Sequence, residues 1–413
     1  MLLLTQMSLY PYTPLPLYPN QVSQFKEISV LELASVLAGP GVGQFFAELG
    51  AEVIKVENLK TSGDVTRSWK SDDEVTDDRS AYFCSVNWGK QSIALDLNTP
   101  DGRNIVQRLA KRAHIVIASY KPGDAEKLGV DYPTLSRNHP ELIYGQVTGY
   151  GSGSQRVGYD AIIQAESGFM FMNGEPRGRS LKIPVALMDI LAGHHLKEGL
   201  LLALLEKTQS GKGKFVEVSL IQAAVASLAN QASNYLIAGK LPSKQGSAHP
   251  NIAPYGDVFT TADGKEILLA IGTDRQFAYL IKILKINDIS KENRFESNVS
   301  RVRNRALLNR ILGETIRKFE APDLLEMLHR EKIPAGLIRN LQEVMETPEI
   351  QDIMISSGNF RGIRSYVGLS QEPFASHFPP PPHFGEHTQS ILERLLKFSP
   401  NDVKNLVQQG VIR

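Results

Sequence analysis

The chain has 413 residues, 45 Lys+Arg against 44 Asp+Glu for a formal net charge of +1, and it is 42% hydrophobic and 22% charged. This is the composition of an ordinary globular protein, not a disordered or fibrous one, and the balanced charge offers no handle for nucleic acid or an anionic membrane. Its single cysteine, Cys84, excludes an intrachain disulfide and a thiolate metal cluster and fits a reducing, cytoplasmic setting.

Residues 1–25 carry no Asp, Glu, Lys or Arg, and Pro11, Pro14, Pro16 and Pro19 interrupt their apolar stretch. That pattern suits neither a secretory signal nor an Arg-rich presequence, so residues 1–26 read as an extended arm without a targeting signal. No apolar run is long enough to span a bilayer.

From residue 27 strands and helices alternate. EISVLELA reads as a strand and GQFFAELG as a helix, with Gly39-Pro40-Gly41 as the tight turn between them. AEVIKVE and SIALDL are the next strands. Thr99 stands at an N-cap position ahead of Pro100, and Ile105, Val106, Leu109, Ala110 and Ala113 share one helical face. HIVIASY and ELIYGQVTG are further strands, and KIPVALM reads as another, followed by a helix that begins at Asp189. Strands separated by helices imply a parallel sheet with right-handed crossovers, hence a doubly wound α/β domain over residues 27–225. A helical run over 219–239 and a Pro/Gly-rich loop, LPSKQGSAHPNIAPYG, lead into hairpin-type strands and the helix RQFAYLIKILK. This gives a smaller α+β domain over 226–330, with 331–413 returning to complete the large one.

The first βαβ unit has the outline of a dinucleotide-binding motif, but its glycine spacing fails. Counting from Gly39 and Gly41 the third position is Gln44, and from Gly41 and Gly43 it is Phe46. Nicotinamide binding is therefore not expected.

The stretch SVLAGPGVGQFFAELGAEVIKVE, followed in order by SGDVTRSW, SVNWGKQSIALDL, SYKPGDAEKLGVDY, LIYGQVTGYG, GYDAIIQAESG, PVALMDILAG, KTQSGKGKFVEVSL and FGEHTQSIL, resembles the class III CoA-transferases. The likeness runs from about residue 28 to 400. It implies a Rossmann-like large domain, a small domain and two chains interlocked as a homodimer. It also implies CoA transfer from an acyl-CoA to a carboxylic acid, with coenzyme A as substrate and no metal or prosthetic group.

The resemblance assigns the nucleophile to Asp189, and a carboxylate at a helix start is expected to be ionised at pH 7. An aspartate there also commonly caps the helix; the two roles are compatible. By the same resemblance CoA is held by Val36, Leu37 and Ala38, by Leu95, Asp96, Leu97 and Asn98, by Ser119, Tyr120 and Lys121, by Lys127, and by Gly158, Tyr159 and Asp160. Asn58 stands where relatives often carry a phosphate-binding arginine, with Lys60 or Arg67 as substitutes. The loop GYGSGSQRVGYD is shorter than in relatives. GSAHPNIAPYGDVF and GTDRQF are similar to relatives acting on dicarboxylates, which makes His249 and Arg275 candidates for the second carboxylate. An α-methylacyl-CoA racemase is the alternative within the fold, but its Gly-His-Asp hallmark is replaced by Gly158-Tyr159-Asp160. A non-catalytic CoA-ester binding protein is the third possibility.

Overall fold

The computed structural model describes residues 25–287, 289–365, 367 and 378–413, so nearly all of the expected N-terminal arm lies outside the described residues. Six strands, β1 (Ser29–Leu33), β2 (Glu52–Asn58), β3 (Gln91–Leu95), β4 (Ile115–Ala118), β5 (Ile143–Thr148) and β6 (Phe215–Ser219), form one sheet in the order β3-β2-β1-β4-β5-β6. All five pairings are parallel. Because successive side chains point to opposite faces, each strand feeds two cores. Leu31, Val116 and Tyr144 pack with the helices Pro100–Ala110, Thr388–Leu396 and Pro400–Gln408. Val30, Ile115, Ile117 and Ile143 pack on the other face with Ala38–Glu48 and Leu187–Ser210. β1 lies between β2 and β4, so the strand order reverses there. Loops leaving the carboxyl ends of β1 and β4 diverge and open a crevice.

A buried ionic layer lies under that crevice. The Lys55 ammonium donates to Glu32 Oε1 (3.0 Å) and the Ala34 carbonyl (2.8 Å) and pairs with Asp64 (2.9 Å). Lys90 Nζ donates to Glu32 Oε2 (2.7 Å), the Pro40 carbonyl (2.8 Å) and Asn87 Oδ1 (2.9 Å). Burial draws the Lys90 pKa down to about 8, against the opposing pull of Glu32. The glycines that imitate a nucleotide motif serve this layer: a Cβ on Gly43 would fall 1.8 Å from Glu32 Oε2, and one on Gly39 would fall 2.4 Å from Ala34 Cβ. Contrary to the sequence reading, Gly39-Pro40-Gly41 is not the turn but the first turn of the helix, which begins at Ala38. The reversal falls on Ala34–Leu37, with Val36 at φ 74°.

A second difference is KIPVALM, which forms no strand; the helix starts at Leu187 and takes in its last two residues. A strand needs a neighbouring ladder, and here the Gln164 side chain takes that part instead. Ile183 N–H donates to Gln164 Oε1 (2.8 Å), and Gln164 Nε2 reaches the Ile183 and Val185 carbonyls (both 3.3 Å). The run 219–239 is not one helix but two, Leu220–Ala226 and Ala229–Leu236, broken where Ala229 takes φ 46°.

A third core, from Phe259 to Ile333, surrounds an antiparallel sheet of β7 (Tyr255–Thr260), β8 (Glu266–Ala270) and β9 (Ala335–Leu337). β9 lies beyond residue 330, where the sequence reading ended the small domain. Residues from Ile391 to Ile412 return to the first core.

Candidate active site

The crevice at the switch point is a cavity of about 800 Å³, within the range of roughly 300–1,000 Å³ usual for ligand pockets. Its walls come from the carboxyl ends of neighbouring strands: Leu33 to Ser35 after β1, Glu57 and Asn58 at the end of β2, Leu97 and Asn98 after β3, and Tyr120 after β4. Ser119 closes the switch point by accepting a hydrogen bond from Ser35 N–H (3.1 Å).

Of the residues expected to hold CoA, Asn58, Leu97, Asn98 and Tyr120 therefore share one cavity. Leu95 and Asp96 do not line it. Leu95 is fully buried in the core, and Asp96 accepts from Asn98 N–H (3.0 Å) and Asn98 Nδ2 (3.1 Å). Asn58 spends its side chain on Lys60 N–H (2.9 Å). Neither proposed substitute is a free cation: Arg67 is buried in a bidentate pair with Glu57 (2.7 and 2.6 Å), and Lys60 lies 3.5 Å from Asp96. Lys121 is exposed, and Lys127 pairs with Asp124 (3.0 Å) in the open.

Val36, Leu37 and Ala38 follow Ser35 in the chain but do not line the cavity. The Asp64 carboxylate accepts from Val36 N–H (3.3 and 3.2 Å) while paired to Lys55, and so pins this left-handed turn. Burial would raise the Asp64 pKa, but Lys55 and the Thr66 donors outweigh it and hold the carboxyl below its ordinary value. The helix Ala38–Glu48 begins without a side-chain cap, so its first N–H groups are open to an anion.

Asp189 is the third residue of the helix Leu187–Ser210 and is 8% exposed. One helical turn on, Gly193 lies against the Ala38 backbone, where a Cβ would stand 3.2 Å from the Ala38 carbonyl oxygen. Asp189 therefore stands on the helical face that meets the Val36–Ala38 turn. It does not cap its helix. That bond goes to Asp160, whose Oδ1 accepts from Met188 N–H (2.7 Å) and whose Oδ2 accepts from Gln164 Nε2 (2.6 Å). Among the described residues none donates a hydrogen bond to the Asp189 carboxylate. Burial, and then the nearby Asp160 charge, push its pKa up to about 7. Against the expectation of an ionised carboxylate, lost hydration works against the helix dipole and favours the protonated form of Asp189.

Sequence reasoning missed Tyr82 and Asp64. The Tyr82 phenol is raised to about 12 by burial and then by Asp189, Asp160 and Asp64, so it lies within electrostatic reach of all three carboxylates. Its ring meets Trp69 edge-on at 5.1 Å. The one signal was a Ser80 cap ahead of AYFC, which announces a turn and no role.

Gly158 and Gly149 pinch the intervening loop shut; a Cβ on Gly158 would fall 2.6 Å from Gly149 Cα. Tyr159 is 60% exposed. His249 and Arg275 belong to the small sheet's surroundings, and among the described residues none of their contacts involves the cavity or Asp189. His249 Nδ1 accepts from Asn251 N–H (3.1 Å) and its ring meets Tyr255 at 5.2 Å; Arg275 is exposed beside Tyr279. Among the described residues one trio, Asp77, Asp78 and His383, has metal-ligand spacing. Its charge is already taken up, Asp77 by Arg79 Nε (2.9 Å) and Asp78 by Phe384 N–H (2.7 Å) and His383.

A switch-point cavity, together with a buried acid at the start of a long helix that no described residue hydrogen-bonds, defines a doubly wound α/β enzyme with a candidate carboxylate nucleophile. The chain belongs to the CoA-transferase family III, whose sequence pattern matches residues 25–388. It is similar to a succinate–glutarate CoA-transferase of Agrobacterium fabrum, 38% identical over 91% of this chain and 97% of the relative. It is also similar to the human succinyl-CoA:glutarate CoA-transferase, 33% identical over 95% and 91%. Among solved structures, a CaiB/BaiF family protein from Brucella suis superposes with a TM-score of 0.79 at 38% identity, covering 89% of this chain and 98% of that one.

Proposed function

We propose that this family III CoA-transferase moves CoA from succinyl-CoA to a dicarboxylic acid such as glutarate, with Asp189 as the covalent nucleophile. The reading is carried by one observation, the buried Asp189 carboxylate that no described neighbour hydrogen-bonds. The names of the relatives support the donor and acceptor.

In the proposed sequence the Asp189 carboxylate attacks the succinyl thioester carbonyl, the C–S bond breaks and CoA thiolate leaves. The thiolate attacks the aspartyl carbonyl of the mixed anhydride, giving an aspartyl-CoA thioester and free succinate. The acceptor carboxylate then attacks that thioester and expels the thiolate again. Attack of the thiolate on the acceptor's own carbonyl releases the new acyl-CoA and restores Asp189. No net proton is consumed, so a bare carboxylate suffices, and the open N–H groups at the start of Ala38–Glu48 suit the transient oxyanions. Val36 to Ala38 would then flank the thioester and the 800 Å³ cavity would take the nucleotide end of CoA.

Incubation with succinyl-CoA and hydroxylamine is expected to leave a hydroxamate at Asp189, found by peptide mass spectrometry, and Asp189→Asn is expected to lose transfer by at least about 10³-fold. Full turnover by that variant removes the proposal, and a chain that binds CoA esters without acylation is a binding protein instead. The racemase alternative is disfavoured because both oxygens of Asp160 are already engaged.

His249 and Arg275 remain the candidates for the acceptor's second carboxylate, Arg275 the better because it is exposed beside Tyr279. Arg275→Ala is expected to raise KM for glutarate about tenfold while sparing monocarboxylates; equal effects on both remove the assignment. We also assign the chain two domains, an interlocked homodimer and a cytoplasmic setting. Supporting the last, Cys84 is a half-buried free thiol and no described helix is long and apolar enough to cross a membrane.

A further inference from the structure

The cavity that would take the nucleotide end of CoA has four cationic side chains in its lining, Lys55, Arg67, Lys70 and Arg413. Three are committed. Lys55 is fully buried between Glu32 and Asp64. Arg67 is locked to Glu57 and lies 3.5 Å from Asp78. Lys70 Nζ donates to the Thr76 and Asp77 carbonyls (2.8 and 2.6 Å). The acids of the lining are equally engaged: Glu57 by Arg67, Asp64 by Lys55, Asp77 by Arg79, and Asp78 by His383 and Phe384 N–H.

Arg413 is different. Among the described residues no side-chain carboxylate pairs with its guanidinium, which lies 5.1 Å from the centre of the Phe384 ring. The segment before it is fixed. Asp96 N–H donates to the Val411 carbonyl (2.9 Å), Ile412 bridges to Leu95, and Val411 and Ile412 are 4% and 3% exposed. A guanidinium carried on an anchored backbone, steadied by an aromatic face and unpaired by any described acidic side chain is preorganised for a polyanion.

We propose that Arg413 binds a phosphate group of CoA, supplying the cation that Asn58, Lys60 and Arg67 do not. This rests on the reading of the cavity as the CoA nucleotide site. Guanidinium and phosphate match in a fork of two parallel hydrogen bonds, and the rim position lets the phosphate stay partly hydrated. The 3′-phosphate and the diphosphate share this chemistry, and the ligand series below separates them.

The test is calorimetric titration of the full chain and of Arg413→Gln with CoA and with 3′-dephospho-CoA, alongside Asn98→Glu, which adds a negative charge to the cavity lining. Arg413→Gln is expected to weaken CoA about tenfold. If that penalty vanishes with 3′-dephospho-CoA, the partner is the 3′-phosphate; if it persists, the partner is the diphosphate. Either result supports the proposal. A Kd for CoA within twofold of the wild type in Arg413→Gln, with binding weakened in Asn98→Glu, overturns the role of Arg413 and keeps the cavity as the site. Unchanged affinity in both variants overturns both readings.

Discussion

Asp189 and Asp160 divide one job between two carboxylates. Asp160 spends its oxygens on Met188 N–H and Gln164, whereas Asp189 has no donor among the described residues and holds its proton up to about pH 7. In the proposed mechanism only the ionised form attacks, so kcat/KM is expected to rise with pH through an apparent pKa near 7. Asp160→Asn keeps an oxygen for Met188 but removes the charge, which is the second cause of the shift. Its profile should therefore move to lower pH yet stay above an ordinary carboxylate, because burial is the first cause. An unmoved profile removes the pairing. A carboxyl whose pKa is higher folded than unfolded binds more protons in the folded state, so stability falls as pH rises from about 4 to about 7. The same burial that raises the Asp189 pKa thus costs stability at neutral pH.

Among elements, the contact that matters most is the helix Ala38–Glu48 on β1 and the ionic layer beneath. Gly43 leaves the space that Glu32 occupies, and Glu32 is held from both sides by Lys55 and Lys90, so its carboxylate cannot swing aside. Gly43→Ala is expected to break at least one of these buried pairs and lower unfolding free energy by about 3–5 kcal/mol, read by urea denaturation. A midpoint equal to the wild type contradicts it. The layer also reaches function: Lys55 holds Asp64, and Asp64 holds the Val36 turn.

At the scale of the molecule, the helix Leu187–Ser210 is apolar on two sides. Leu196, Leu200 and Ala203 are buried in the core, whereas Leu201, Leu202 and Leu205 are 38%, 61% and 58% exposed. Tyr235, Leu236, Ile237 and Leu241 add to the exposed apolar surface. Surface of this kind is usually covered, as the proposed homodimer requires. Light scattering is expected to give twice the mass of one 45.6 kDa chain, and Leu202→Glu with Leu205→Glu to give a single chain. A wild-type monomer contradicts the assignment.

Sequence alone determined the alternation of strands with helices, the Thr99 cap and the failure of the nucleotide motif, because each depends on neighbours along the chain or on spacing. The ordered motifs of the family likewise pointed to Asp189. Tertiary structure decided the rest. It turned KIPVALM from a strand into a segment held by Gln164, started the Asp189 helix at Leu187, and moved its cap to Asp160. It committed Arg67 to Glu57, brought Tyr82 toward Asp189 and placed Arg413 in the cavity lining. A proton's affinity and a cation's freedom depend on what surrounds a group in space, and residues far apart in the chain supply those surroundings.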